Sequence, residues 1–403
     1  MLEYNFDEPV NLAGIGSIKW ENRDRTAGKE PVISLGVADM SFACPPEVVQ
    51  AVRERAARPV YPHTRIPESY FEALRFWYGD QYGLSLEASD FLCGTGTIVS
   101  LGVAVRSFSR SGDGVLIATP VYGPFFEMIR MNGRQIVEAP MRLDGGGRYH
   151  FDRQLLGQAV DAAAAKGTAV PLALFCSPHN PGGAVWDRAE LEDFLSFAAE
   201  RNIIVACDEI HGDFVYSPKS FTSLASFSGY ADRVVVISSP NKTFNLGGFH
   251  ASHFVIRDKN LRAAVQNEQG ADGFRGPDIF SLVAAETAYR YGGPWIGALK
   301  EYIEETIEDA LEIIRVEIPM LRAWKPEGTY LIWLDASALI TARGLKDEAE
   351  LAHCLETEGR VKLSPGYYFG HEGRGFLRLN AACPRAECLE GVNRIKNWAA
   401  GLV

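Results

Sequence analysis

Five short apolar runs between residues 90 and 260 each end on residues that could do chemistry. After FLC comes Gly94-Thr95-Gly96-Thr97, which opens the helical stretch IVSLGVAVRSF. A glycine turn at a helix start presents free backbone N–H groups and the positive end of the helix dipole, which suits a phosphate. A dinucleotide fingerprint would need a third glycine at 99, where Val99 stands, so a nicotinamide reading loses its main support. After VLIATP comes Tyr122, an aromatic ring at a proline-bounded exit, able to stack on a planar group or simply to pack. After LALFCSP comes His179-Asn180-Pro181-Gly182-Gly183, a turn by its chemistry. After IIVAC comes Asp208, with His211 three residues on. A carboxylate ending an apolar strand is costly to bury unless it caps a helix or meets a cation. After VVVISSP comes Lys242, preceded by Ser238 and Ser239 and followed by Gly247 and Gly248.

Alone, Tyr122 reads first as a packed ring and His179–Gly183 as a turn, while the glycine turn at 94–97 and Lys242 read as readily as a plain turn and a loop lysine. Taken together they supply a phosphate cradle, a stacking ring, a carboxylate for a protonated pyridinium nitrogen and a lysine for a Schiff base. Those are the needs of pyridoxal 5′-phosphate (PLP). No metal-ligand set is assigned.

The elements that must position these residues follow from the pattern around them. VLIATP, LALFCSP, IIVACDE, VVVISSP and HFVI alternate with helix-like stretches such as AELEDFLSFAAERN and the segment from Pro67 to Tyr82. That alternation predicts an α/β fold, a mostly parallel sheet wrapped by helices, with function collected at the carboxyl ends of the strands. Past Pro294 a long amphipathic acidic helix leads into YLIWLDAS, DEAELAHCLETEG, GFLRLNAA and a last helix near Trp398, a smaller α+β unit. The pattern divides the chain into residues 1–45 packing with the small unit, a large domain over 46–290 and a small domain over 291–403. With 403 residues, 47% hydrophobic and 23% charged, more than one core is expected. A net charge of −11 without long single-sign runs argues against nucleic acid or an anionic membrane as the main partner. Seven scattered cysteines, an odd number, read as reduced core residues. The opening MLEYNFDEPVNLAG has no basic-then-apolar leader pattern, and a cytoplasmic location is expected.

The segments VADMSFACPPEVVQAV, YPHTRIPESYFEAL, PVYGPFF, SPHNPGGAVW, CDEIHGDFVY, SSPNKTFNLGG and GFLRLNAACPR occur in this order over nearly the whole chain. In these the sequence resembles the fold-type I PLP enzymes of the class I/II aminotransferase superfamily, and within them the cystathionine β-lyase (MalY/PatB-type) C–S lyases. The resemblance implies that Lys242 holds the cofactor and later moves the Cα proton. It implies that Asp208 pairs with the pyridinium nitrogen, that Asn180 and His211 hydrogen-bond the ring's phenolic oxygen, and that Tyr122 stacks on the ring. Gly96, Thr97 and Ser239 would hold the phosphate, completed by Tyr61 from a second subunit of a homodimer. Arg378 would grip the substrate carboxylate as a bidentate fork, with Asn180, Tyr122 and Ala38 beside it.

Three positions depart from the family pattern: His250 stands where many relatives carry a phosphate-neutralising arginine, Tyr61-Pro62-His63 replaces Tyr-Gly-Tyr, and Ala184 replaces an arginine. The implied activity is cleavage of cystathionine or another cysteine S-conjugate to thiol, pyruvate and ammonia. The same residues would serve an aminotransferase, or a specialised biosynthetic enzyme acting on an S-conjugated cysteine. A PLP-binding regulatory protein is the reading from a different class. It calls for an appended binding module, for which the sequence offers no spare segment.

Overall fold

Seven strands form the large sheet: β1 (Phe91–Gly94), β2 (Gly114–Thr119), β3 (Gln135–Pro140), β4 (Leu172–Cys176), β5 (Ile204–Asp208), β6 (Val234–Ser238) and β7 (Ser252–Val255). They lie in the spatial order β1-β7-β6-β5-β4-β2-β3. The computed structural model describes residues 4–21 and 30–402. From β6 to β3 every neighbouring pair is parallel, and β4 is buried at all five positions, as a strand covered by helices on both faces must be. The run HFVI departs from the expected parallel alternation, because β7 is antiparallel to both β6 and β1. The connection from β6 carries only the four-residue helix Pro240–Thr243 and a 3₁₀ turn at Gly247–Phe249. No long helix crosses the sheet there, so the chain returns directly along β6.

Helices α1 (Pro46–Ala56), α2 (Glu68–Tyr82), α3 (Thr97–Phe108), α4 (Arg188–Glu200) and α5 (Ile279–Tyr291) belong to this large unit. Sequence chemistry sets their ends: Gly83 closes α2 in the left-handed region at φ 64°, and Asp187 with Glu190 forms a capping box at the start of α4. The long helix expected past Pro294 is α6 (Gly293–Glu317), and it packs against α7 (Arg385–Ala399). A four-stranded antiparallel sheet completes the smaller α+β unit, with β8 (Arg322–Ala323), β9 (Leu331–Asp335), β10 (Ser364–Pro365) and β11 (Phe376–Asn380) in the order β8-β9-β11-β10. Near the N-terminus, Ile33–Ser34 pairs in parallel with Val361–Lys362 beside this sheet. One continuous apolar core joins the two units, running from Val205 and Val236 of the large sheet to Leu331 and Leu379 of the small one. Among the described residues no helix is long and apolar enough to cross a membrane.

Candidate active site

Because β4, β5 and β6 run parallel, their carboxyl ends face one edge of the sheet. Register sets Cys176 beside Asp208 and Asp208 beside Ile237. Asn180, Asp208 and Lys242 therefore leave neighbouring strands within a few residues of that edge.

Asp208, the last residue of β5, is 3% exposed and accepts a hydrogen bond from the Ile210 amide at 3.1 Å. No cation pairs with it among the described residues. Burial pushes its carboxyl up to about 7, opposed by the Ile210 amide and by the charge of Lys242. His211 is buried with an unbonded Nδ1, and burial pushes it down to about 3, helped by Lys242 and Arg378. It is neutral at physiological pH, with a ring nitrogen free for a hydrogen bond.

Lys242 sits in the one-turn helix after β6. Its Nζ donates to the Ala38 carbonyl at 2.6 Å and to Asp39 Oδ1 at 3.0 Å. The Thr243 hydroxyl beside it is fixed by Asp213 Oδ2 at 2.5 Å, and Asp213 also accepts from Trp77 Nε1 and from the Tyr82 hydroxyl. That buried cluster clamps the turn that presents the lysine.

Arg378 of β11 comes from the small unit and is 5% exposed. Its Nη1 donates to Asn180 Oδ1 at 3.0 Å and Nη2 to the Gly36 carbonyl at 2.9 Å, while Nε has no partner among the described residues. The guanidinium lies 4.8 Å from the centroid of the Phe369 ring. No carboxylate pairs with it among the described residues, and burial alone lowers it to about 10. A desolvated guanidinium with neutral neighbours and a free donor is built to receive an anion. Tyr122 stands between the two units, where burial pushes its hydroxyl up to about 12. The Asp208 carboxylate acts in the same direction and Arg378 against it.

The cradle lies at the start of α3. Gly96 caps it at φ 88°, a conformation that favours glycine, and a Cβ there would come within 3.7 Å of His250 Nδ1. The Thr97 hydroxyl is buried without a partner among the described residues, whereas Ser239 Oγ donates to the Ala251 carbonyl at 2.6 Å. Sheet pairing sets Gly94 beside Ser252 and Ser238 beside His253, which brings the two segments together. Tyr61 makes none of the contacts described for this chain's site. It is 58% exposed, with its hydroxyl on the Ala56 carbonyl and its ring against Phe280. His63 is exposed too, and Ala184 is buried, its carbonyl closing the turn onto the His179 amide.

Three residues outside the strand-end reading also shape the site. Asp39 touches Lys242, the Tyr330 hydroxyl donates to the same Ala38 carbonyl at 2.9 Å, and Asn380 Nδ2 bonds the carbonyls of Val37 and Asp39. The sequence signal for Asp39 is its carboxylate within the VADM phrase. The signal for Asn380 is its place in the GFLRLNAACPR segment two residues after Arg378, and Tyr330 carries none beyond apolar strand neighbours.

Residues 30–395 match the family model for aminotransferase class I and II. Cystathionine beta-lyase PatB of Bacillus subtilis is 34% identical over 97% of this chain and 99% of its own length. Protein MalY of Escherichia coli is 28% identical, with 98% of each covered. The crystal structure of cystalysin from Treponema denticola, described as containing a pyridoxal 5′-phosphate cofactor, superposes with a TM-score of 0.92 over all of both chains at 28% identity. The full-length match and the shared fold agree with the motif order, and the chain belongs to the class I and II aminotransferase family.

Proposed function

We propose that this chain is a PLP-dependent C–S β-lyase that cleaves cystathionine or a related cysteine S-conjugate to a thiol, pyruvate and ammonia. One observation carries the reading. Asp208 at the edge of the large sheet, buried with no paired cation among the described residues, and Arg378 of the small unit, buried with no paired anion among them, meet Lys242 around His211. The charges left open match a protonated pyridinium nitrogen and a substrate carboxylate. The fit extends to the unbonded His211 Nδ1 and Thr97 hydroxyl, which suit a phenolic oxygen and a phosphate. The full-length likeness to PatB and cystalysin supports the same reading.

When bound, PLP supplies an electron sink for negative charge at the substrate Cα. Asp208 keeps the ring nitrogen protonated, which that sink requires. Arg378 takes the α-carboxylate as a fork, and Asn180 holds the fork in place through its 3.0 Å bond. Lys242 Nζ removes the Cα proton, and the Ala38 carbonyl and Asp39 carboxylate receive the ammonium that results. The Cβ–S bond then breaks and the sulfur departs as thiolate, whose conjugate acid is strong enough that little acid assistance is required. Addition of water to the remaining three-carbon unit yields pyruvate and ammonia.

The proposal includes a homodimer in which Tyr61 reaches the partner's cradle, a cytoplasmic location, and division of the chain at about residues 45 and 290. A large exposed ring at Tyr61, seven unpaired thiols and the pairing of Ile33–Ser34 with Val361–Lys362 support these points. Incubation with a panel of cysteine conjugates and plain amino acids tests the reaction. Pyruvate and thiol are expected in equal amounts from cystathionine with no keto acid added. Strict dependence on a keto acid would assign an aminotransferase instead.

A further inference from the structure

Lys19 lies in the short helix Ile18–Glu21 and is only 3% exposed. Its Nζ donates to the Asp39 carbonyl at 3.1 Å and to the Ser41 hydroxyl at 2.9 Å. Both acceptors are neutral, and no carboxylate pairs with it among the described residues. A desolvated ammonium in such surroundings is costly unless an anion reaches it. Lys19 lines a cavity of about 380 Å³, a size within the range of small-molecule sites, roughly 300–1,000 Å³. The same cavity is lined by Glu387, in the first turn of α7, half-buried and without an ion pair among the described residues. Val10, Leu12 and Pro384 supply apolar wall, and none of Lys242, Asp208 or Arg378 lines it.

We propose that this cavity is a second amino-acid site, in which Lys19 takes the carboxylate of a small zwitterionic amino acid and Glu387 takes its ammonium. A bare anion fits less well, because Glu387 would repel it while Lys19 attracts it. The site shares one segment with the catalytic lysine: Lys19 holds the Asp39 carbonyl while the Asp39 carboxylate holds Lys242. Occupancy therefore bears on the residues that receive the lysine's proton.

The test is thermal unfolding of the holoenzyme titrated with sarcosine and with methoxyacetate, which has the same shape but an ether oxygen in place of the ammonium. Sarcosine at saturation is expected to raise the midpoint by about 2 °C or more, since a ligand bound only to the folded state stabilises it. Methoxyacetate is expected to bind at least about 10-fold more weakly, a difference of about 1.4 kcal/mol. Lys19→Gln should abolish the sarcosine effect. Ser41→Asp should abolish it independently, because it gives the ammonium an internal counter-ion in place of the Ser41 hydroxyl. Glu387→Gln should erase the preference for sarcosine, and Arg378→Lys should leave the shift unchanged. A sarcosine shift that persists in Ser41→Asp or disappears in Arg378→Lys would overturn the assignment. So would equal binding of the two probes, or no shift in the wild type.

Discussion

Lys242→Ala is expected to lower turnover of a cysteine S-conjugate by about 10⁴-fold or more, the upper end of what a positioned proton-transfer group contributes. The drop should be larger than for any other single substitution, because the proposed function gives one side chain both the cofactor and the Cα proton. The fold should survive it. The substitution removes two hydrogen bonds, from Nζ to the Ala38 carbonyl and to Asp39, a carboxylate whose side chain is already 47% exposed. The turn that carries Lys242 is clamped by Thr243 and Asp213 rather than by the lysine itself. An unfolding midpoint close to that of the wild type, together with the fall in turnover, separates chemistry from stability. Retention of a tenth of the wild-type rate would remove Lys242 from the role assigned to it.

Asp208→Asn carries the second large effect. An amide of the same shape cannot hold a proton on the ring nitrogen, and kcat is expected to fall on the order of 10²- to 10³-fold, the scale of losing one preorganised electrostatic partner. The substitution also has a signature in stability. The carboxyl of Asp208 is pushed up to about 7 in the folded, cofactor-free protein, against roughly 4 in an unfolded chain. Between those values the native state binds a proton that the unfolded state has released. This contribution is full below about pH 4 and is lost as pH rises through about 7. Glu209, pushed up to about 8 by burial, acts with the same sign, so the difference between wild type and Asp208→Asn isolates Asp208. Denaturant unfolding of the cofactor-free proteins from pH 5 to 8 should show a shallower decline with pH in the variant. An identical decline in both would contradict the assignment of Asp208 as an uncompensated buried carboxylate.

Much of the site is legible in the sequence, for a physical reason. In a parallel sheet the strands are continuous apolar runs, and a charged residue directly after such a run stands out, as Asp208 does after IIVAC and Lys242 after VVVISSP. The edge strand β3, QIVEAP, does not stand out as a strand, because its exposed alternate positions give it a mixed pattern. The direction of β7 is invisible in HFVI, since an apolar strand reads the same in either orientation, and only the short connection from β6 decides it. Asp39 and Tyr330 converge on Lys242 through contacts spanning 203 residues and, at the Ala38 carbonyl, 292 residues, which no local pattern encodes. Arg378 can be assigned from its motif, but its open Nε and its bond to Asn180 emerge only when the small unit is set against the large one. The role proposed for Tyr61 calls for a second chain, and one chain by itself provides only its exposed ring.

Borohydride reduction of the purified holoenzyme, followed by proteolysis and mass mapping of the modified peptide, tests the role of Lys242 as cofactor anchor most directly. A single cofactor adduct is predicted on Lys242, in the peptide containing Ser238-Ser239-Pro240-Asn241-Lys242. An adduct on any other lysine, buried Lys19 included, or no adduct from protein carrying the cofactor's absorbance, would contradict it.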